Sequence, residues 1–258
     1  MKKKIILILL ILCNHVTAQK LENFKKINYL SVDPFENVYL CYPEKITKIQ
    51  KKDGKKLDFY FSDYGQLTKI ITKNPLRTTL FFKESQKIIF LDKNLSKLNK
   101  EIKIQNIHNN IISDIDTHSN LVLLFSKNSS EICSYDIKKT KIIDCNKNLN
   151  IDNHNAKLFF HKGSIMIINN SEILYLNDKL IENEKLKLST FDRLFFNNNN
   201  VYLIIKNKLY KSTIDNFNEF SFLKNLNKND LIFIQNNFLF EIKNDFLWKE
   251  NLTTLEKY

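Results

Sequence analysis

The sequence predicts an all-β fold, a β-propeller of six blades, on three observations. The order Asp, Asn, Val, Tyr within Asp33-Pro-Phe-Glu-Asn-Val-Tyr39 returns in degraded form about every 40 residues, the length of four short strands and three turns. Short apolar or alternating runs are separated by turns rich in Asn, Asp and Lys, with no sustained 3.6-residue pattern, so helix is scarcely expected. Apolar residues are spread evenly with no linker, so residues 19–258 read as one domain of small sheets that must stack on one another to bury their faces. Five or seven blades stay open, because the boundaries over 180–193 and after Trp248 are poorly marked.

From the N-terminus, Lys2-Lys3-Lys4, the apolar run Ile5 to Leu12 and then Val16-Thr17-Ala18 have the order of a secretory signal, residues 1–18, with cleavage between Ala18 and Gln19. The apolar run is far short of the roughly 20 residues a membrane-spanning helix needs. Cys13 raises a lipoprotein anchor, but Ile11 and Leu12 stand where lipid attachment wants small residues. Removing residues 1–18 takes three lysines and no acid from a net charge of +12, leaving +9. Of the 40 basic residues only Arg77 and Arg193 are arginine. Nucleic-acid readers concentrate arginine for its bidentate fork, so a solvated lysine surface fits better, with no nucleic-acid partner and at most weak attraction to anionic lipid.

Residues 20–30 alternate weakly, and 20–27 suit a strand that snaps onto the last blade to close the ring; Leu252 to Leu255 competes for that role. The first unit places strands at Val38–Tyr42, Ile46–Lys51 and Lys56–Phe61, with Lys52-Asp53-Gly54 as a hairpin turn. The second places them at 78–83, 87–92 and 98–103. The third has an inner strand at 111–116, then 121–126, 131–137 and 141–145. Three tighter units follow at 164–168 with 172–176, 201–206 with 208–212, and 238–242 with 245–249. Asparagine replaces glycine in the turns, as at Asn169-Asn170, Asn197 to Asn200 and Asn236-Asn237, because it tolerates left-handed backbone best among residues with a side chain. Phe81-Phe82, Phe159-Phe160 and Phe195-Phe196 read as equivalent core positions between blades.

Three cysteines remain after processing. In the hairpin Glu131 to Cys145, a turn over Lys138 to Thr140 sets Ile137 opposite Lys141, Tyr135 opposite Ile143 and Cys133 opposite Cys145, within disulfide reach; a slip of one residue would separate them. Cys41 has no evident partner and reads as a small core residue.

Asp33-Pro-Phe-Glu-Asn-Val-Tyr-Leu40 resembles the Asp-x-x-Gly-Asn-x-Tyr-Val blade signature of NHL-type six-bladed propellers, with Glu36 in the glycine place. With Asn74-Pro75-Leu76 and Ile88 to Asp92, the chain is similar to small exported propellers of Bacteroidota-type bacteria. The resemblance implies the fold and an envelope location, in the periplasm or at the outer membrane of a Gram-negative cell, and carries no catalytic residues. Since Asn37 tolerates unusual dihedrals, it is expected to absorb the turn strain.

No glycine-rich phosphate loop and no serine or zinc hydrolase motif is present, with three glycines in all. Asp114, Asp116 and His118 share one face of an extended strand, a set that suits a divalent metal or acid and base; inner propeller strands also carry such residues as axial hydrogen-bonding groups, the reading preferred here. His154 and His161 are isolated. Tyr39, Tyr42, Tyr60 and Tyr64 read as alternating strand residues rather than a stacking platform, and Trp248 as a buried ring rather than an interface anchor. No catalytic residue, metal site or cofactor is assigned. The reading is a non-enzymatic scaffold presenting one face to an envelope or outer-membrane protein, the alternative being a glycan-active hydrolase or lyase, or a ligand-binding module, using the axial channel. Export with cleavage after Ala18 is checked by intact-mass measurement of the secreted chain: a mature N-terminus at Gln19 is expected, and retention of residues 1–18 would overturn it.

Overall fold

In the computed structural model, described for residues 17–20, 26–147, 149–151, 155–169, 171–187, 190–214, 216–228, 230–244 and 246–257, six four-stranded antiparallel sheets form a six-bladed propeller. The strands are β1 (Thr17–Lys20), β2 (Tyr29–Val32), β3 (Val38–Cys41), β4 (Lys45–Ile49), β5 (Lys56–Tyr60), β6 (Lys69–Asn74), β7 (Arg77–Phe82), β8 (Lys87–Asp92), β9 (Lys97–Lys103), β10 (Asp114–His118), β11 (Leu121–Ser126) and β12 (Glu131–Asp136). They continue with β13 (Lys141–Asn146), β14 (Lys157–His161), β15 (Ser164–Ile168), β16 (Glu172–Leu176), β17 (Glu182–Lys187), β18 (Arg193–Asn197), β19 (Asn200–Ile205), β20 (Lys208–Thr213), β21 (Asn216–Asn225), β22 (Leu231–Gln235), β23 (Phe238–Lys243) and β24 (Phe246–Asn251). Blades one to five are meanders in chain order, and the sixth is β22-β23-β24 completed by β1.

The ring is therefore closed by the N-terminus, but with an earlier segment than expected. Thr17 to Lys20 pair with Lys249 to Phe246, whereas 20–27 was the expected closing segment and 21–25 lie outside the described residues. The C-terminal competitor is excluded, since Leu252–Lys257 is a 3-10 helix. The expected cleavage point between Ala18 and Gln19 falls inside β1; the earlier part of the leader, with Cys13, is outside the described residues. In blade three the inner strand starts at Asp114 rather than Ile111, which is exposed. The shorter units are complete blades, with inner strands β14, β18 and β22 and outer strands β17, β21 and β1.

Each of the six interfaces between blades holds its own buried apolar cluster. Between blades one and two it is Tyr39, Ile46 and Phe61 against Leu80, Phe82 and Ile89; between six and one, Phe240, Ile242 and Leu247 meet Leu30, Val38 and Leu40. Middle strands β7 and β8 are almost wholly buried, while the outer strands β9 and β17 are exposed and rich in lysine or glutamate, which blunts their open edges. The phenylalanine pairs are not equivalent. Phe81 and Phe82 sit fully buried on a second strand, but Phe159-Phe160 and Phe195-Phe196 lie on inner strands and are half-buried toward the axis.

The turn after β2 explains the signature motif. The Asp33 carboxylate, fully buried, accepts hydrogen bonds from the backbone N–H of Phe35 and Asn37 (2.9 Å each), from Asn37 Nδ2 at 2.8 Å and from the Tyr39 hydroxyl at 3.1 Å. The left-handed position falls on Glu36 (φ 62°) and not on Asn37, so the glycine place keeps its glycine-like conformation with a side chain on it. Burial alone would raise the Glu36 carboxyl, but hydrogen bonds from Lys249 and Lys51 outweigh it and hold the group below the ordinary glutamate range. The device repeats. Asp92 Oδ1 accepts from the N–H of Asn94 and Ser96 with Leu95 at φ 62°, and Asn177 Oδ1 from Lys179 and Ile181 with Leu180 at φ 60°. Of the fifteen described non-glycine residues with positive φ, six are asparagine, so the asparagine turns are only part of the answer.

Cys133 and Cys145 oppose one another in β12 and β13, Cα atoms 4.1 Å apart, and form a disulfide. The rest of the hairpin differs from the expected register: Tyr135 faces Ile142 and Asp136 faces Lys141, and a bulge after Ser134 restores the cysteine pairing. Cys41 is buried, and its burial pushes the thiol well above the ordinary range. Replacing Asp33 by Ala strands several buried donors and is expected to cost about 3 kcal/mol of stability, read from urea unfolding; a loss below about 1 kcal/mol would show that the turn is held by other contacts.

Candidate functional site

The inner strands β2, β6, β10, β14, β18 and β22 surround the axis, and each turns its first edge, with unpaired backbone groups, toward it. On β14, in blade four, these groups are satisfied by a two-rung clasp of side chains from blades two and three. In the first rung Lys69 Nζ donates to Asp114 (3.1 Å) and to the Leu158 carbonyl (2.9 Å), while Asp114 Oδ2 accepts the Leu158 N–H at 2.8 Å. In the second, Lys73 Nζ donates to Asp116 and to the Phe160 carbonyl (2.7 Å), and Asp116 Oδ2 accepts the Phe160 N–H at 2.7 Å. Each Lys–Asp pair thus offers β14 the donor and acceptor that a neighbouring strand would supply.

Asp114 and Asp116 do share a face, as their spacing implies, yet the expected trio with His118 does not converge. Both carboxylates are committed to the clasp, and the His118 ring stacks on Phe160 with centroids 4.0 Å apart. The pattern recurs one blade on, where His161 stacks on Phe196 at 5.1 Å and its Nε2 donates to the Asn198 carbonyl at 2.7 Å. Burial is the main reason the His161 ring titrates below the ordinary histidine range, with the Asn198 bond opposing it. His154 lies outside the described residues.

Above the clasp, where the hairpins between first and second strands meet, opens an axial cleft of about 510 Å³. Its floor is aromatic, from Phe159, Phe160, Phe195, Phe196 and Phe233, with edge contacts Phe159–Phe196 at 5.7 Å and Phe195–Phe233 at 6.2 Å. Its polar lining is cationic or neutral apart from Asp116: Lys73, Arg77, His118, His161, Lys162 and several asparagines. Arg77 donates to the Ser119 carbonyl, lies over Phe90 and leaves its buried Nε unpartnered; burial holds its guanidinium below the ordinary arginine range. On the same face Phe35 and Leu76 project from neighbouring hairpins at 63% and 64% exposure.

The lysines of the clasp and the aromatic floor were not legible as a site, because Lys69 and Lys73 look like surface lysines and the phenylalanines like core. Tyr39 is fully buried, as its alternation implies, and burial first of all pushes its phenol up; Tyr60 is exposed. Trp248 is half-buried on β24, opposite Ala18 and Glu241.

No protein-family model and no curated protein matches the chain by sequence. Solved structures do. Virginiamycin B lyase from Staphylococcus aureus is similar at TM-score 0.58 and 14% identity, covering 92% of this chain and 88% of that one. The Pan2 WD40 domain of Neurospora crassa is similar at TM-score 0.56 and 8% identity, covering 92% and 83%. PorZ, an essential surface component of the type-IX secretion system of Porphyromonas gingivalis, is similar at TM-score 0.54 and 12% identity, over 87% of this chain and 31% of that one. At such identities the likeness is one of fold. No helix among the described residues is long and apolar enough to cross a membrane.

Removal of a catalytic acid leaves stability nearly intact, whereas removal of a clasp carboxylate strands an amide and an ammonium. Asp116→Ala is therefore expected to lower stability by about 2–3 kcal/mol, measured by urea denaturation; an unchanged midpoint would return Asp116 to the list of candidate catalytic groups.

Proposed function

We propose that this chain is a non-enzymatic, exported propeller of the cell envelope, one of the small propellers of Bacteroidota-type bacteria, that binds another envelope or outer-membrane protein through the face bearing the axial cleft. The observation that carries this reading is the fate of the axial acids. Asp114 and Asp116 are consumed by bonding between blades, which leaves a cleft with an aromatic floor and a cationic wall, flanked by exposed Phe35 and Leu76. Half-buried aromatics beside an arginine, here Arg77, are residue types that interfaces concentrate. The rigid ring supplies preorganisation, so hairpins can present contacts with little ordering cost. The likeness to PorZ, a surface component of a secretion system, is consistent with such a place. The alternative, a glycan hydrolase or lyase working through axial carboxylates, is weakened by the same clasp. No nucleic acid, cofactor or membrane insertion is part of this reading.

The test is affinity isolation of a tagged chain from gently solubilised envelopes of its native host, beside a Phe35→Ser, Leu76→Ser double variant. A stoichiometric envelope protein that is lost with the variant is the expected result. A clean monomer, or a partner retained equally by the variant, would overturn the proposed face.

A further inference from the structure

A second constellation lies at the Cys133–Cys145 hairpin, away from the cleft. Glu131 and Cys133 are alternate residues of β12 on one face, and the loop before β10 lays His108 over them. His108 Nε2 is 3.3 Å from Glu131 Oε2 and 3.5 Å from Cys133 Sγ, and Cys133 Sγ is 3.7 Å from Glu131 Oε1. The His108 and Glu131 side chains are 8% and 4% exposed, and Cys133 is fully buried. Cys145, bonded to Cys133, is exposed.

These separations match a tetrahedral zinc shell. Bonds of about 2.1 Å to nitrogen or oxygen and about 2.3 Å to sulfur place ligand atoms about 3.3 Å apart for N and O and about 3.6 Å apart for pairs involving one S. The surroundings match as well. His108 Nδ1 lies 3.1 Å from the Asn110 N–H, which donates to it in the metal-free tautomer, and 3.2 Å from the Asn110 carbonyl, to which Nδ1–H turns when Nε2 becomes a ligand; Asn110 Nδ2 donates to Glu131 Oε2 at 2.6 Å. Lys147 Nζ stands 3.9 Å from Glu131 Oε1, an exposed cation able to offset the net negative charge of zinc with two thiolates and one carboxylate.

We propose that the reduced form of this hairpin is a zinc(II) site, with Cys133, Cys145, His108 and Glu131 as ligands, and that the disulfide is its closed, metal-free alternative. The reductant is a dithiol. Its thiolate attacks the exposed Cys145 Sγ, the S–S bond breaks and its electron pair leaves on Cys133 Sγ; the second thiol then attacks the mixed disulfide and frees Cys145. The dithiol is oxidised to a disulfide, the two cysteines take up two protons, and binding of Zn²⁺ releases those protons. For the metal to enter, the Cys145 sulfur swings away from Cys133 to about 3.8 Å, the S–S separation of a tetrahedral zinc dithiolate, while the three buried ligands keep their places.

The mature chain, reduced with a phosphine and freed of it without oxygen, is titrated with Co²⁺ and then Zn²⁺, beside the oxidised chain. One equivalent of Co²⁺ with tetrahedral d–d bands and a sulfur-to-cobalt charge-transfer band, displaced by Zn²⁺, is expected, with at least about 100-fold weaker uptake by the oxidised form. His108→Gln, which removes a ligand, is expected to weaken the reduced site by at least the roughly 10–100-fold that loss of an outer-shell partner costs. Cys145→Ser keeps three ligands without a disulfide, so it is expected to bind without reductant and covers the case in which the reduced chain unfolds. Equal uptake by reduced and oxidised chains, a cobalt spectrum indifferent to His108→Gln, or a folded Cys145→Ser chain that takes no metal would each overturn the proposal.

Discussion

A propeller must find partners for the backbone groups that its inner strands turn toward the axis. In an isolated blade the first strand is an edge, and backbone groups buried along it need partners. Here the shortage on β14 of blade four is met by side chains from blades two and three. Asp114 and Asp116 accept from the N–H groups of β14, Lys69 and Lys73 donate to its carbonyls, and the Ser31 and Thr72 hydroxyls bridge blades one and two at 2.8 Å. The polar axis is thus structural where the clasp spans it, and the lining of the cleft beyond is largely aromatic and cationic.

The same logic governs closure. Six clusters of buried side chains each need both walls, so the ring is stable only when blade six meets blade one. That seam carries an apolar cluster, the bond from Asn236 Nδ2 to the Pro34 carbonyl at 2.9 Å, the ion pair of Lys249 with Glu36 and, in the full chain, β1 laid along β24, of which cleavage after Ala18 would leave Gln19 and Lys20. Glu36 therefore does two things: it occupies a left-handed turn position that glycine would fill without strain, and it brings a carboxylate to the closing seam. The strain and the ion pairs oppose one another, which is why a charged residue can stand in that place.

Much of the architecture was legible because its causes are local. The Asp33 turn writes its hydrogen bonds into residue identities, and strands alternating between lysine and apolar residues show which side faces a neighbouring blade. The facing cysteines were legible from hairpin symmetry, although the bulge after Ser134 was not, because a bulge adds a residue without changing composition. The site was less legible for the opposite reason. Whether a phenylalanine lies on a middle strand, like Phe81, or an inner one, like Phe160, depends on where its blade begins, and that is set by contacts with other blades. Likewise His108 reaches Glu131 and Cys133 only through a loop whose path no local pattern records.

The side-chain-tied turns have a consequence for how the molecule ages. Where glycine would be chemically inert, this chain sets asparagine into tight corners, as at Asn198, Asn207, Asn236 and Asn237. Asparagine is among the residues that hyperthermophilic proteins use sparingly because it degrades on heating. The durability of the ring at elevated temperature is then set by slow chemical damage at its corners as well as by unfolding, a clock that runs in one direction and that refolding does not reset.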